Sequence, residues 1–240
     1  MRTFVLLGWL IIPVVAGAYH YGPGQEKLRL DDVSRVLADA DRLAAEQDWQ
    51  AASASYEQAV ALLPAGRIAD ARRIRLQRAK VQMFGHQLPE ANVALRDLVD
   101  QIEDDKTAEP QLGDEARDAL ANAQYYMTWL MRLEGLGAQE WEPEIESARQ
   151  TYRMLAEEDE AKGDQQSARK HREDLESVIR LARMDLGDLQ GLDLPKQCQN
   201  CKSGQCKKPG KKPGNKQSKD AEKKDARKAG AGPPPDNSGS

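Results

Sequence analysis

The sequence is poor in aromatic residues and in cysteine. Of its 240 residues only 5% are Phe, Trp or Tyr, and all three cysteines lie beyond residue 197. With 40% hydrophobic residues the chain can still bury a moderate core, provided that Ala- and Leu-rich helix faces supply it. The Ala-, Arg- and Glu-rich composition favours helices. We therefore expect an all-α protein.

The chain also lacks the familiar catalytic patterns. None of its three histidines has a Glu three residues before it or a second His four residues away, which are the helical spacings of metal ligands. No Gly-rich phosphate loop and no Gly-x-Ser-x-Gly motif is present. We expect His86 in a turn and His171 on a helix surface flanked by Arg and Lys. We therefore expect that the chain is not an enzyme and that it binds no cofactor.

Only one long hydrophobic run is present, and it lies at the N-terminus. A charged start precedes the apolar residues 4–18, and Ala16-Gly17-Ala18 is typical of a cleavage site. Fifteen helical residues span about 22 Å, less than the ~30 Å of a bilayer core. We predict that residues 1–18 are a signal peptide, with an N-terminal membrane anchor as the alternative. The chain would then be exported to a bacterial periplasm or cell envelope.

Charge divides the chain into an acidic body and a basic tail. Residues 196–240 hold 12 Lys and Arg against 4 Asp and Glu, whereas residues 1–195 hold 23 against 35. After Pro195 the chain has no Val, Ile, Leu, Met or aromatic residue, so we expect residues 196–240 to be disordered. Such a tail suits an anionic lipid or wall polymer. A solubilising spacer is the alternative, and nucleic acid is disfavoured because no aromatic is available for stacking.

Periodic apolar residues, separated by Gly, Pro and Asp, predict a helical domain over residues 28–187. Seven helices are expected, at residues 31–46, 49–63, 66–85, 88–104, 113–134, 143–161 and 164–186.

One predicted helix carries a more specific pattern. Trp49, Ala52, Tyr56 and Ala59 share one helix face, and Pro64 ends it. This stretch resembles the second helix of a tetratricopeptide (TPR) repeat, most clearly over residues 36–64. The resemblance implies antiparallel helical hairpins stacked as a short TPR-like α-solenoid, whose job is to bind another protein. An ordinary helical bundle is the alternative.

The spacing of a small residue followed by apolar residues at +4 and +7 recurs along the chain. It is found at Ala52, Tyr56 and Ala59, at Ala91, Leu95 and Leu98, at Ala148, Tyr152 and Leu155, and imperfectly at Ala168, Arg172 and Leu175.

A basic cluster on the third predicted helix is the candidate partner site. Arg72, Arg75 and Arg78 recur every three residues, and first helices of TPR-like pairs line the groove. The three arginines would therefore meet the carboxylates of an acidic or C-terminal segment of a partner. Pairing with acidic neighbours in the chain is the alternative.

The cysteines suggest a second kind of function. In an exported chain Cys198 and Cys201, spaced Cys-x-x-Cys, are most simply closed by a disulfide, which leaves Cys206 over. Haem attachment is disfavoured because Lys202 stands where His is required, and zinc would need a fourth ligand. The prediction is a scaffold for protein–protein interactions. The alternatives are a redox or metal-handling protein that uses these cysteines, and a tether acting through the basic tail.

Overall fold

The computed structural model describes residues 23–203, together with Trp9 and Ile12. Over this part of the chain it contains α-helices, one short 3-10 helix and no strand, so the all-α prediction is confirmed there. The helices are α1 (Pro23–Ala45), α2 (Trp49–Leu62), α3 (Ile68–Phe84), α4 (Leu88–Glu103), α5 (Pro110–Leu133), α6 (Ala138–Lys162), α7 (Gln165–Arg183) and α8 (Leu186–Gln190), followed by the 3-10 helix Lys196–Cys198.

Several helix boundaries differ from the prediction. Helix α1 begins eight residues before the predicted start at residue 31, and α8 was not predicted. Helix α6 begins at Ala138, five residues before the predicted start at residue 143, and contains Pro143. Pro143 is the sixth residue of α6, so it donates no hydrogen bond to the carbonyl of Gln139 and its ring crowds that carbonyl.

Polar side chains and one glycine fix the helix ends. The Asp48 carboxylate accepts a hydrogen bond of 3.2 Å from the backbone N–H of Ala51 at the start of α2. At the start of α7 the Asp164 carboxylate accepts from Gln166 and Ser167. Gly163 ends α6 with φ of 79°, a left-handed conformation that favours glycine. Helix α6 is thus stopped and α7 started within two residues.

The chain divides into two compact units, and the boundary falls within α3 after Arg75. In the first unit α1 and α2 form an antiparallel hairpin. The Tyr56 hydroxyl on α2 donates a 2.5 Å hydrogen bond to the Asp41 carboxylate on α1. Ala40 on α1 and Ala52 on α2 are completely buried, which allows the two helices to approach closely.

In the second unit consecutive helices pack on one another, α4 on α5, α5 on α6 and α6 on α7. Helix α5 is central, because it also contacts α8 and the 3-10 helix. Its Trp129 and Tyr125 are fully buried, as is Tyr152 of α6. The guanidinium of Arg132, near the end of α5, donates to the backbone carbonyls of Leu181 and Met184 and so caps the C-terminal end of α7.

The packed structure continues past residue 195, where the predicted tail begins. Residues 195–203, which we call the strap, bury Gln197, Cys198 and Ser203. The prediction of disorder from residue 196 is therefore wrong for residues 196–203. Cysteine and neutral polar side chains can be buried where the folded chain supplies hydrogen-bond partners for them. Residues 204–240 lie outside the described part of the chain.

The predicted signal peptide, residues 1–18, also lies outside the described residues except for Trp9 and Ile12. Among the helices that the structure describes, none combines the length and the apolar character needed to cross a bilayer.

Candidate functional site

The three predicted partner-binding arginines differ in exposure. Arg72 is buried, Arg75 is exposed and Arg78 is half-buried. At 100° per residue, positions 72 and 78 lie about 120° apart around α3, so one surface cannot present all three equally. Each already has an interaction partner within the chain. Of the predicted cluster, only Arg75 has an exposed side chain.

The strap holds two of the three cysteines, and both are free thiols. Cys198 is 1% exposed, and its Sγ donates to the backbone carbonyl of Tyr126 on α5 at 3.5 Å. Cys201 is half-buried. Burial raises the pKa of both thiols above the ordinary value, so both are protonated at neutral pH. The third predicted cysteine, Cys206, lies outside the described residues.

Cys198 and Cys201 are the first and last residues of a β-turn. Gln199 has φ and ψ of −65° and 131°, Asn200 has a φ of 56°, and the N–H of Cys201 is 3.4 Å from the carbonyl of Cys198. These are the angles of a type II turn, and Asn suits its third position because it tolerates positive φ. Such a turn brings the two cysteine Cα atoms within about 7 Å.

Three anchors hold the strap on the second unit. At its centre the carbonyl of Gln199 accepts a 2.7 Å hydrogen bond from Nδ1 of His86, in the turn before α4. At its end the Glu134 carboxylate accepts from both the backbone N–H and the hydroxyl of Ser203, at 2.9 and 2.5 Å. The Cys198 contact with Tyr126 is the third. His86 does lie in a turn, as predicted, and its ring binds the strap.

A network of charged groups centred on His171 joins α5, α6 and α7. The Nδ1 atom of His171, on α7, is 2.8 Å from the Asp159 carboxylate of α6. Its Nε2 atom is 3.6 Å from Asp118 of α5, which also binds Lys170 at 3.0 Å. The Tyr152 ring is tilted against the imidazole with the ring centres 6.2 Å apart. The prediction of a surface histidine is wrong, because His171 is buried between these helices.

The charges around His171 favour its protonated form. Burial alone would lower the pKa of the imidazole, but the carboxylates of Asp118 and Asp159 outweigh burial and raise it. For Asp118 the directions are reversed: burial alone would raise the pKa of the carboxyl group, but His171 and Lys170 lower it. The network is therefore a buried, proton-binding link between three helices.

No protein-family model, curated protein or solved structure matches the chain.

Neither polar site forms a metal centre or a nucleophilic triad. Within residues 23–203 no group of three or more His, Cys, Asp or Glu side chains converges as a metal site would require. The thiols in the strap are protonated by burial, which does not favour a reactive nucleophile. The His171 network can bind a proton and hold helices together.

A shallow groove of about 500 Å³, open to solvent, lies at the C-terminal end of α7. Its lining mixes both charges with apolar groups, so the groove selects no ligand charge. The lining residues are Glu176, Ile179, Arg180, Arg183, Met184 and Asp188.

The sequence did contain a signal for His171. On α7 the buried residues Ala168, His171, Val178 and Leu181 recur at intervals of three and seven, as on one helix face. The predicted face instead ran through Arg172, which is exposed. A shift of one residue in the assumed face therefore moved His171 from the core to the surface.

Proposed function

We propose that the chain is an exported, TPR-like helical scaffold that binds a protein or peptide partner in the bacterial cell envelope. One observation carries this proposal. Consecutive helices pack side by side, α1 on α2 in the first unit and α4 through α7 in the second, and completely buried alanines lie on these helices. Repeat scaffolds are built in this way, since each element needs only its neighbours to bury its apolar face.

The buried alanines support close, extended stacking. Ala52 and Ala59 of α2, Ala91 of α4 and Ala148 of α6 have no exposed surface. Small side chains let helix axes approach closely, and the side chains on the outer faces of the same helices stay available for a partner.

Arg75 is the strongest remaining candidate for contact with a partner. It is the exposed member of the predicted cluster, and its guanidinium suits a carboxylate of an acidic or C-terminal peptide segment. The partner that we propose is therefore a protein carrying such a segment.

The segments beyond the described residues complete the proposal. Residues 1–18 would direct export, and the basic residues after Ser203 would tether the scaffold to an anionic lipid or wall polymer. Such a tether predicts retention that is lost at high salt.

The test is an in-cell cross-link and pull-down with the full chain and with the Arg75→Glu variant. We expect the amount of partner recovered with Arg75→Glu to fall by about tenfold or more, because the reversed charge repels a carboxylate. The matched control is Arg73→Glu, which reverses another exposed charge on α3 but on a different face. Equal losses in the two variants, or none in either, would rule out an Arg75-centred site.

A chain that ends at Ser203 separates the helices from the tail in the same experiment. Partners kept by this chain would bind the helical part. Partners lost with residues 204–240 would assign binding to the basic tail and contradict the scaffold proposal.

A further inference from the structure

Two features of the folded strap bring its thiols together. Neither can be read from the spacing of the cysteines or from the composition of the sequence. First, the type II turn brings the Cα atoms of Cys198 and Cys201 within about 7 Å, which overlaps the separations found in disulfides. Second, Cys198 belongs to the hydrophobic core of the second unit and Cys201 packs against that same core. A bond between them needs no new fold of the strap.

We propose that Cys198 and Cys201 form a reversible disulfide that closes this turn and restricts the strap to its docked conformation. The proposal goes beyond partner binding, because it assigns a redox-controlled modification to a segment that the scaffold proposal does not use.

The oxidant we invoke is a disulfide of low molecular weight, such as oxidised glutathione. The thiolate of Cys201 attacks one of its sulfurs, which forms a mixed disulfide and releases the first glutathione thiolate. The thiolate of Cys198 then attacks Sγ of Cys201 and releases the second. The two cysteines lose two protons and two electrons, and the two glutathione thiolates take up the protons.

Burial sets the order and the speed of these steps. Cys201 is partly exposed whereas Cys198 is 1% exposed, so the incoming disulfide meets Cys201 first. Burial raises the pKa of both thiols, so the reaction is slow at neutral pH and accelerates as pH rises. The pair is therefore suited to forming a long-lived disulfide rather than to rapid cycles of oxidation and reduction.

The lock acts where the strap is anchored. In the reduced state the strap is held by polar contacts with His86, Glu134 and Tyr126, each of which exchanges with water when the strap lifts. Oxidation removes the S–H that donates to the Tyr126 carbonyl, but the covalent turn keeps Gln199 presented to His86 and reduces the conformations open to the lifted strap.

The experiment uses the full chain with Cys206→Ser, so that only the two thiols of the strap remain. Incubated with oxidised glutathione at mildly alkaline pH, this protein should lose the mass of two hydrogen atoms, and peptide mapping should join Cys198 to Cys201. Trypsin should then cut after Lys196 and Lys202 about tenfold more slowly than in the reduced protein. Cleavage at lysines after residue 206 is the internal control.

The matched control carries Cys198→Ser together with Cys206→Ser. Its serine hydroxyl still donates to the Tyr126 carbonyl, but it cannot close the turn. We expect a glutathione adduct on Cys201 and tryptic cleavage as fast as in the reduced protein.

Two results would overturn the proposal. If the Cys206→Ser protein stops at the glutathione adduct, or keeps both thiols, the turn does not close. If the disulfide forms but cleavage after Lys202 is unchanged or faster, the bond does not lock the strap. Circular dichroism verifies that Cys206→Ser folds; if it does not, mapping the disulfides of the unaltered chain decides whether Cys198 pairs with Cys201.

Discussion

His171 joins three helices through one imidazole ring. Because its two nitrogens face Asp159 and Asp118, which lie on different helices, the charge of the ring affects the packing of α5, α6 and α7 together. Lys170 adds a further positive charge on α7, and the carboxyl group of Asp174 on the same helix is buried. Protonation of this residue is therefore linked to the stability of the second unit.

This linkage predicts how stability depends on pH. The pKa of His171 in the folded chain lies above its unfolded value of about 6.5, so the folded state binds the proton more tightly. Its contribution to the free energy of unfolding is complete below about pH 6.5 and is lost as pH rises through the folded pKa. Urea unfolding at pH 6 and pH 8 should give a larger difference between the native chain and His171→Gln at pH 6. An equal difference at both pH values would contradict the linkage.

Arg132 shows how one element positions the end of another. From α5 it caps the last carbonyls of α7, and its guanidinium lies 4.8 Å from the centre of the Trp141 ring on α6. We expect Arg132→Met to lower the free energy of unfolding by about 2–3 kcal/mol, since two carbonyls lose a charged donor. Denaturant titration measures the loss. Arg153→Met, which removes an exposed pair within α6, is the control and should cost much less.

At the scale of elements, helix positions could be predicted from sequence because they follow local rules. All nine residues of the three complete small-and-apolar spacings, such as Ala148, Tyr152 and Leu155, are buried. The start of α6 could not be predicted from sequence. A proline that begins a helix and a proline a few residues inside one look the same in sequence. The His171 network depended on the choice of helix face, which neighbouring helices decide.

At the scale of the whole molecule, the strap determines where a truncation is tolerated. A chain ending at Pro195 loses the buried Cys198 and Ser203, whereas a chain ending at Ser203 keeps every described contact of the strap. We expect the shorter chain to be less stable by about 2 kcal/mol. Thermal unfolding followed by circular dichroism compares the two. Equal melting temperatures would mean that the strap contributes nothing to stability.

The strap itself was beyond sequence reasoning for a physical reason. Its composition is polar and it continues into a basic tail, so no apolar pattern indicates burial. What holds it is a set of acceptors and donors on α5 and in the turn before α4. Such partners are far away in sequence, and only the folded chain brings them together.

The contact between His86 and Gln199 spans 113 residues. By contrast, the helices of the second unit pack on their sequence neighbours, and such local contacts form quickly because little loop entropy opposes them. We therefore expect α4 to α7 to assemble while the chain is still emerging from the ribosome, with the strap docking last. Until residue 203 has emerged, the surface around Tyr126 stays uncovered, and the fold closes only when nearly the whole described chain is present.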